Sequence, residues 1–149
     1  MQKTRYKKPD AIKRLENFAF KKQKEMHPNF PYPIKPTYKD NTTNTLTKCV
    51  FDAIELTGGF VERVNSMGNQ IETNKGVKWV KGSSKKGTAD LHCIIKAKSV
   101  MIEIKCKYTR DRQSLAQREY QKQIEQAGGV YLIVRDFKEF YDWYGNFLR

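Results

Sequence analysis

Three ionisable side chains stand in sequence otherwise built for a core: Asp90, Glu103 and Lys105, within GTADLHCIIKAKSVMIEIKCK at residues 87–107. Asp90 enters one β-rich run, ADLHCIIK, and Glu103 and Lys105 lie on the next, SVMIEIKCK. Residues two apart in a strand share a face, so Glu103 and Lys105 point one way while Ile102, Ile104 and Cys106 line the other. If the two runs pair through a short turn at residues 97–99, Asp90 approaches Glu103. Two carboxylates held close repel unless a cation sits between them. Mg2+ takes hard oxygen ligands: a couple of carboxylates, a carbonyl, waters and substrate phosphate. A lysine beside them orients or deprotonates a water, or offsets charge building on a phosphate. Such a set suits metal-assisted phosphodiester hydrolysis. A Glu-x-Lys triplet alone is more often a salt bridge on a solvated strand, so the elements that position it decide between the two.

The pattern of those elements is α/β. Leu46, Cys49, Val50, Ala53, Ile54 and Thr57 recur at helical spacing, with Asn and Thr caps before them and Gly58-Gly59 after. FVERVNS alternates as a short strand, and residues 77–80 are a candidate small hairpin within a Gly-, Lys- and Ser-rich loop. The two β-rich runs follow as a hairpin. A second helix is expected over residues 114–126, ended by Gly128-Gly129, then a buried strand VYLIV and a last amphipathic helix DFKEFYDWYGNFL. The order predicts a mixed central sheet of about four strands flanked by helices. The aromatics Phe137, Phe140, Tyr141, Trp143 and Tyr144 are expected to cover that sheet; an oligomer surface is the other reading.

All five prolines fall in the first forty residues, which carry eleven Lys/Arg against four Asp/Glu. A helix fits residues 9–26, with proline at its first turn, and HPNFPYPIKPTYKD reads as an extended arm. Residues 1–40 are therefore set apart as a basic N-terminal extension and residues 41–149 as the domain; the other reading of the segment is a packed first helix followed by a loop. The whole chain has a formal charge of +13, which favours an anionic partner, nucleic acid before acidic membrane. No apolar run approaches the ~20 residues of a membrane helix, and the basic start lacks the apolar stretch of a signal peptide. Cys49, Cys93 and Cys106 show no C-x-x-C spacing and read as buried free thiols, which fits a cytoplasmic setting.

KKGTADLHCIIKAKSVMIEIKCKYTRDRQSLAQREYQKQIEQAGGVYLIVRDFKEF resembles the PD-(D/E)XK nuclease superfamily, and more closely its VRR-NUC branch of phage, mobile-element and repair nucleases. The resemblance spans roughly residues 44–140. It rests on G-x-x-D, E-x-K, Q-x-x-Y and A-G-G-x-Y together; any one of these is weak alone. It implies a restriction-endonuclease-like core and a Mg2+-dependent endodeoxyribonuclease, with Mn2+ able to substitute. It implies Asp90 and Glu103 as metal ligands, helped by the Ile104 backbone carbonyl, and Lys105 as the water-activating or charge-stabilising group. Gln117 matches the glutamine that supports the site. Ser114 then reads best as that helix's N-cap. Branched or structured DNA, homodimers, and a bacterial or phage-infected cell also follow from the resemblance alone. One position departs: where the branch carries a first-helix glutamate, this chain has Thr47, with Glu55 and Glu62 as substitutes or plain surface residues. One Mg2+ is the expectation, with a second possible in the branch.

Around the acids, Arg63 reads as a phosphate contact or a partner for Glu62 or Asp52. Lys75, Lys78, Lys81, Lys85 and Lys86 interleave with Trp79 ahead of Asp90. The lysines suit DNA phosphates, and the indole suits stacking on a base or wedging a distorted duplex, against a solvated loop with one packed Trp. His92 shares the Asp90 face, as a ligand or as polar filler. Two rivals to the nuclease remain: a catalytically inactive nucleic-acid-binding module of the same fold, which the Thr47 departure favours, and a basic RNA-binding structural protein.

Overall fold

The computed structural model describes residues 5–64, 68–82 and 85–148. Helix α1 spans Asp10–Met26 and α2 Thr43–Leu56. Strand β1, Phe60–Arg63, precedes a hairpin of β2, Asn69–Thr73, and β3, Gly76–Val80. Strands β4, Leu91–Ile95, and β5, Lys98–Ile104, come next. Helix α3, Leu115–Gln126, strand β6, Val130–Val134, and helix α4, Phe137–Leu148, complete the order.

The local sequence explains these boundaries. Pro9 sits at the N-cap of α1 with φ −65°, its locked torsion suited to a helix start. Thr42 caps α2 and exchanges bonds with Thr45 in a capping box, and Gly58 follows the helix at φ +84°. Each such cap contributes about 1 kcal/mol.

Four strands form one mixed sheet in the order β1-β4-β5-β6, with β1–β4 and β4–β5 antiparallel and β5–β6 parallel. The parallel pair requires a crossover, which α3 supplies. On one face, Leu91, Cys93 and Ile95 of β4 and Val100, Ile102 and Ile104 of β5 are buried with α1, α2 and α4 residues in the main core. On the other, Met101, Tyr131 and Ile133 pack with Ala89 and with Tyr120 and Ile124 of α3. This is an α/β fold with helices on both faces of a four-stranded mixed sheet. Phe137, Phe140 and Tyr144 of α4 are core residues, and Phe140 stacks on Tyr144 at 5.2 Å between centroids.

Two boundaries differ from the sequence reading. The turn between β4 and β5 is Lys96-Ala97, one residue earlier than expected, and both residues have positive φ, 49° and 61°. A two-residue turn of this handedness matches strand twist, and here it forms without the usual Asn-Gly cue. The described part of the basic segment 1–40 is not an appendage. Ala11, Ile12, Leu15 and Ala19 of α1 enter the main core, and Tyr38 is buried with them. The Tyr6 hydroxyl donates to Asp40 Oδ1 at 2.7 Å, and Asp40 Oδ2 accepts from the Phe137 amide at 3.1 Å. A fully buried carboxylate thus ties the arm to the start of α4.

The β2–β3 hairpin forms its own two-stranded sheet. The three cysteines are free and buried, and burial pushes the Cys49 and Cys93 thiols up to about 12. No described helix is long and apolar enough to cross a membrane.

Candidate active site

Antiparallel pairing sets Leu91 opposite Ile102. One residue further along the same register, Asp90 faces Glu103, and both lie on the α3 face because Leu91 and Ile102 occupy the other. Past the end of β4, the Asp90 side chain takes the place of a ladder partner: its Oδ2 accepts from the Ile104 amide at 2.7 Å. A strand residue directs its N–H and its C=O to the same side, so the Ile104 carbonyl is aimed toward Asp90 as well.

Lys105 keeps the alternation because its amide donates to the Val134 carbonyl at 2.9 Å beyond the end of β5. Its ammonium lies 3.1 Å from Glu103 Oε1 and 3.2 Å from Asp111 Oδ2. Asp111 was not singled out from the sequence; it sits in a loop between Arg110 and Arg112, where no periodicity marks it.

Gln117 reaches the same carboxylate from α3. Ser114 is the N-cap, its Oγ accepting from the Gln117 amide at 3.2 Å while its own amide donates to Gln117 Oε1 at 2.8 Å. That reciprocal box fixes the amide orientation and leaves Nε2 to donate to Glu103 Oε1 at 2.5 Å. Gly87 sets the distance between this helix start and the Asp90 strand. Its φ is +80°, and a Cβ there would stand 2.3 Å from the Ala116 backbone. Only glycine fits both the torsion and the contact, which gives the G-x-x-D spacing a physical cause.

Glu103 is 2% exposed, and its Oε2 has no hydrogen-bond partner among the described residues. Burial, then the Asp90 charge, pushes its carboxyl up to about 7. Asp90 is raised as well, by burial, against the lowering effect of the Ile104 amide and Lys105. Burial pulls Lys105 down, but its bonds to Glu103 and Asp111 outweigh that and leave it above the ordinary lysine value. Two acids are thus crowded where an additional positive charge would stabilise both.

These residues fit Mg2+. Among the described residues no group of three or more His, Cys, Asp or Glu side chains forms a metal cluster. A cation here would have two carboxylates, with a backbone carbonyl, water and substrate oxygens completing the shell, a donor set usual for Mg2+. The orphaned Oε2 is the kind of hard oxygen such an ion takes.

The remaining expected residues are spread around this cluster. Arg63 faces Leu91 in β1 and so points to the α2 side of the edge strand, although its charge still favours ionised Asp90. Among the described residues its suggested partners are taken otherwise: Glu62 Oε1 contacts His92 Nδ1 at 3.1 Å, and Asp52 pairs with Lys48. His92 Nε2 contacts Ser99 Oγ at 3.1 Å, so both ring nitrogens are engaged as polar filler. Lys78 lies on β3, Lys81 just after it, and Lys85 and Lys86 lead into Gly87, all exposed. Thr47 donates to the Thr43 carbonyl at 2.7 Å inside α2, and Glu55 is exposed.

No family model matches the chain, and neither does any curated protein or solved structure compared with it.

Proposed function

We propose that this chain is a metal-dependent DNA endonuclease with a restriction-endonuclease-like core, of the PD-(D/E)XK superfamily and its VRR-NUC branch. The observation that supports it most is the facing pair Asp90 and Glu103, with a buried Glu103 oxygen left without a partner and Lys105 3.1 Å away. Asp90, Glu103 and the Ile104 carbonyl would hold Mg2+, or Mn2+ in its place. The chemistry such an ion supplies is polarisation of the scissile phosphate and acidification of a water.

The chain's own residues do the rest. Lys105 donates toward the attacking water or toward charge gathering on the phosphate, while Asp111 steadies its ammonium. Gln117 holds Glu103 in one rotamer, and the Ile104 amide does the same for Asp90. Lys78, Lys81, Lys85 and Lys86 hold DNA phosphates without reading bases, while Arg63, turned to the α2 side of the edge strand, adds only positive charge to that flank.

The test is cleavage of labelled linear, flap and four-way DNA with and without Mg2+ or Mn2+. Asp90→Ala, Glu103→Ala and Lys105→Ala should each lower cleavage by roughly 10²-fold or more. Glu103→Ala should bind DNA as well as the wild type or better, since it removes negative charge facing phosphate. Wild-type cutting by Glu103→Ala would refute the assignment. Salt-sensitive binding without cutting, unaltered by these changes, would leave a binding module of the same fold, and preference for RNA would favour a structural RNA-binding protein.

A further inference from the structure

The apolar residues of the β2–β3 hairpin have no core to enter, and unlike the exposed Met26, Phe30, Tyr32 and Ile34 they stand on a segment that leads directly into Asp90. Trp79 is 61% exposed, Val77 66%, Ile71 45% and Val80 42%. A lone two-stranded hairpin is marginal in water, and its register leaves Trp79 and Val77 bare on one face and Ile71 and Val80 on the other, surfaces that a partner would cover.

Three observations say what. The first is charge: Lys75, Lys78, Lys81, Lys85 and Lys86 occupy residues 75–86 with no acid among them. A lysine-rich strand edge discourages pairing with a second copy and attracts a polyanion. The second is the placement of the indole. Gly68 lies so close beneath Trp79 that an added Cβ would stand 2.7 Å from Nε1 and 2.8 Å from Cε2. Glycine lets the ring rest on backbone, which makes it a positioned platform and not a loose rotor. Register puts Trp79 and Val77 on one hairpin face, with Lys78 on the other. The third is where the hairpin is rooted. The chain leaves the sheet at Val64, whose amide donates to the Asp90 carbonyl at 3.0 Å, and it rejoins the described fold at Lys85–Gly87, just before Asp90.

We infer that Trp79 is a stacking site for an unpaired nucleobase, and that the hairpin directs duplex-to-single-strand transitions in nucleic acid to the Asp90–Glu103 cluster. The occupant's class rests on the nucleic-acid reading of that cluster. The chemistry is general: every base has a π-face, so an exposed indole flanked by ammonium groups takes single strands with little sequence preference.

The experiment uses the full chain in EDTA, so that binding is read apart from cleavage. The probes are a labelled single strand, a blunt duplex and a duplex bearing a single-stranded flap. Trp79→Ala should lose about 5- to 150-fold in affinity for the strand and the flap, with blunt-duplex binding unchanged, and Trp79→Phe should keep most of it. In a Trp143→Phe background the remaining emission comes from Trp79 and should be quenched by the single strand but not by the duplex. Wild-type flap affinity in Trp79→Ala, or an equal loss on blunt duplex, overturns the inference. So does a change in sedimentation or vesicle binding in Trp79→Ala with nucleic-acid binding unaltered, since it would assign the surface to self-association or lipid. If Trp79-dependent binding appears but Mg2+ yields no cutting, the stacking site stands and the nuclease reading falls. If cutting occurs without dependence on Trp79, the reverse holds.

Discussion

Ile102, Ile104 and Cys106 on one side of β5 and Met101, Glu103 and Lys105 on the other are separated by only the thickness of a strand. The first set enters a core of aliphatic and aromatic side chains, closed by three helices. The second set faces one helix and, with Asp90 beside it, brings together two acids raised by burial, an ammonium between the Glu103 and Asp111 carboxylates, and an oxygen with no partner among the described residues. Both sides are equally hidden from water at Ile102 and Glu103. Burial alone therefore does not separate framework from site. What separates them is whether the buried groups are content with each other.

The sharpest way to break this comparison is to alter each side in turn. Ile102→Ala should cost about 2–5 kcal/mol through lost burial and a cavity. Glu103→Gln, its neighbour, should cost no stability at pH 8 and should gain some, because shape is kept, the neutral amide escapes the penalty of a buried charge, and Lys105 retains Asp111. Denaturant titration of the metal-free proteins measures both. Equal losses would mean that Glu103 is framework.

Acidity gives a second contrast. Glu103 in the fold titrates near 7, against 4.5 for an ordinary glutamate. The folded state therefore holds a proton that the unfolded state releases, and this contribution is complete below about pH 4.5 and lost as pH rises through about 7. Asp90 shifts in the same direction. Metal-free protein should lose up to about 3 kcal/mol over that window, visible as a falling melting temperature. Mg2+ should restore it at pH 8, and Glu103→Gln should flatten the profile.

Two glycines provide the finest comparison. Gly58, after α2, and Gly87, before α3, have φ of +84° and +80°. A Cβ at Gly58 meets nothing within 4 Å, whereas at Gly87 it strikes the Ala116 backbone. Gly58→Ala should cost about 1 kcal/mol from torsion alone. Gly87→Ala should cost about 1–3 kcal/mol and should also lower cleavage, by moving Gln117 away from Glu103. Thermal melts and cleavage rates of the two variants, side by side, test this.

Much of the site was legible because its logic is local. Strand alternation placed Glu103 and Lys105 together, the Ser114 and Gln117 spacing announced a capped helix, and the apolar periodicities gave the sheet and its helices. What was hidden depends on distant or loop residues. Asp111 meets Lys105 only because a loop folds back. The stripe Ala11, Ile12, Leu15 and Ala19 was present in the sequence, but the lysines and prolines around it made the segment look like a tail. Lys96 and Ala97 carry no cue for positive φ; the tight pairing of β4 with β5 imposes it over their intrinsic preference. Arg63 has the right charge and strand, yet register turns it to the far side.

The Asp40 carboxylate, shared between the Tyr6 hydroxyl and the Phe137 amide, has a consequence for biosynthesis. A chain emerging from the ribosome can form its first helix at once, but it cannot finish seating that helix until residue 137 has cleared the exit tunnel. The hydrophobic stripe of α1 can meet α2 early, but its cover is complete only once α4 has been made, so closure of this core waits on a segment far downstream.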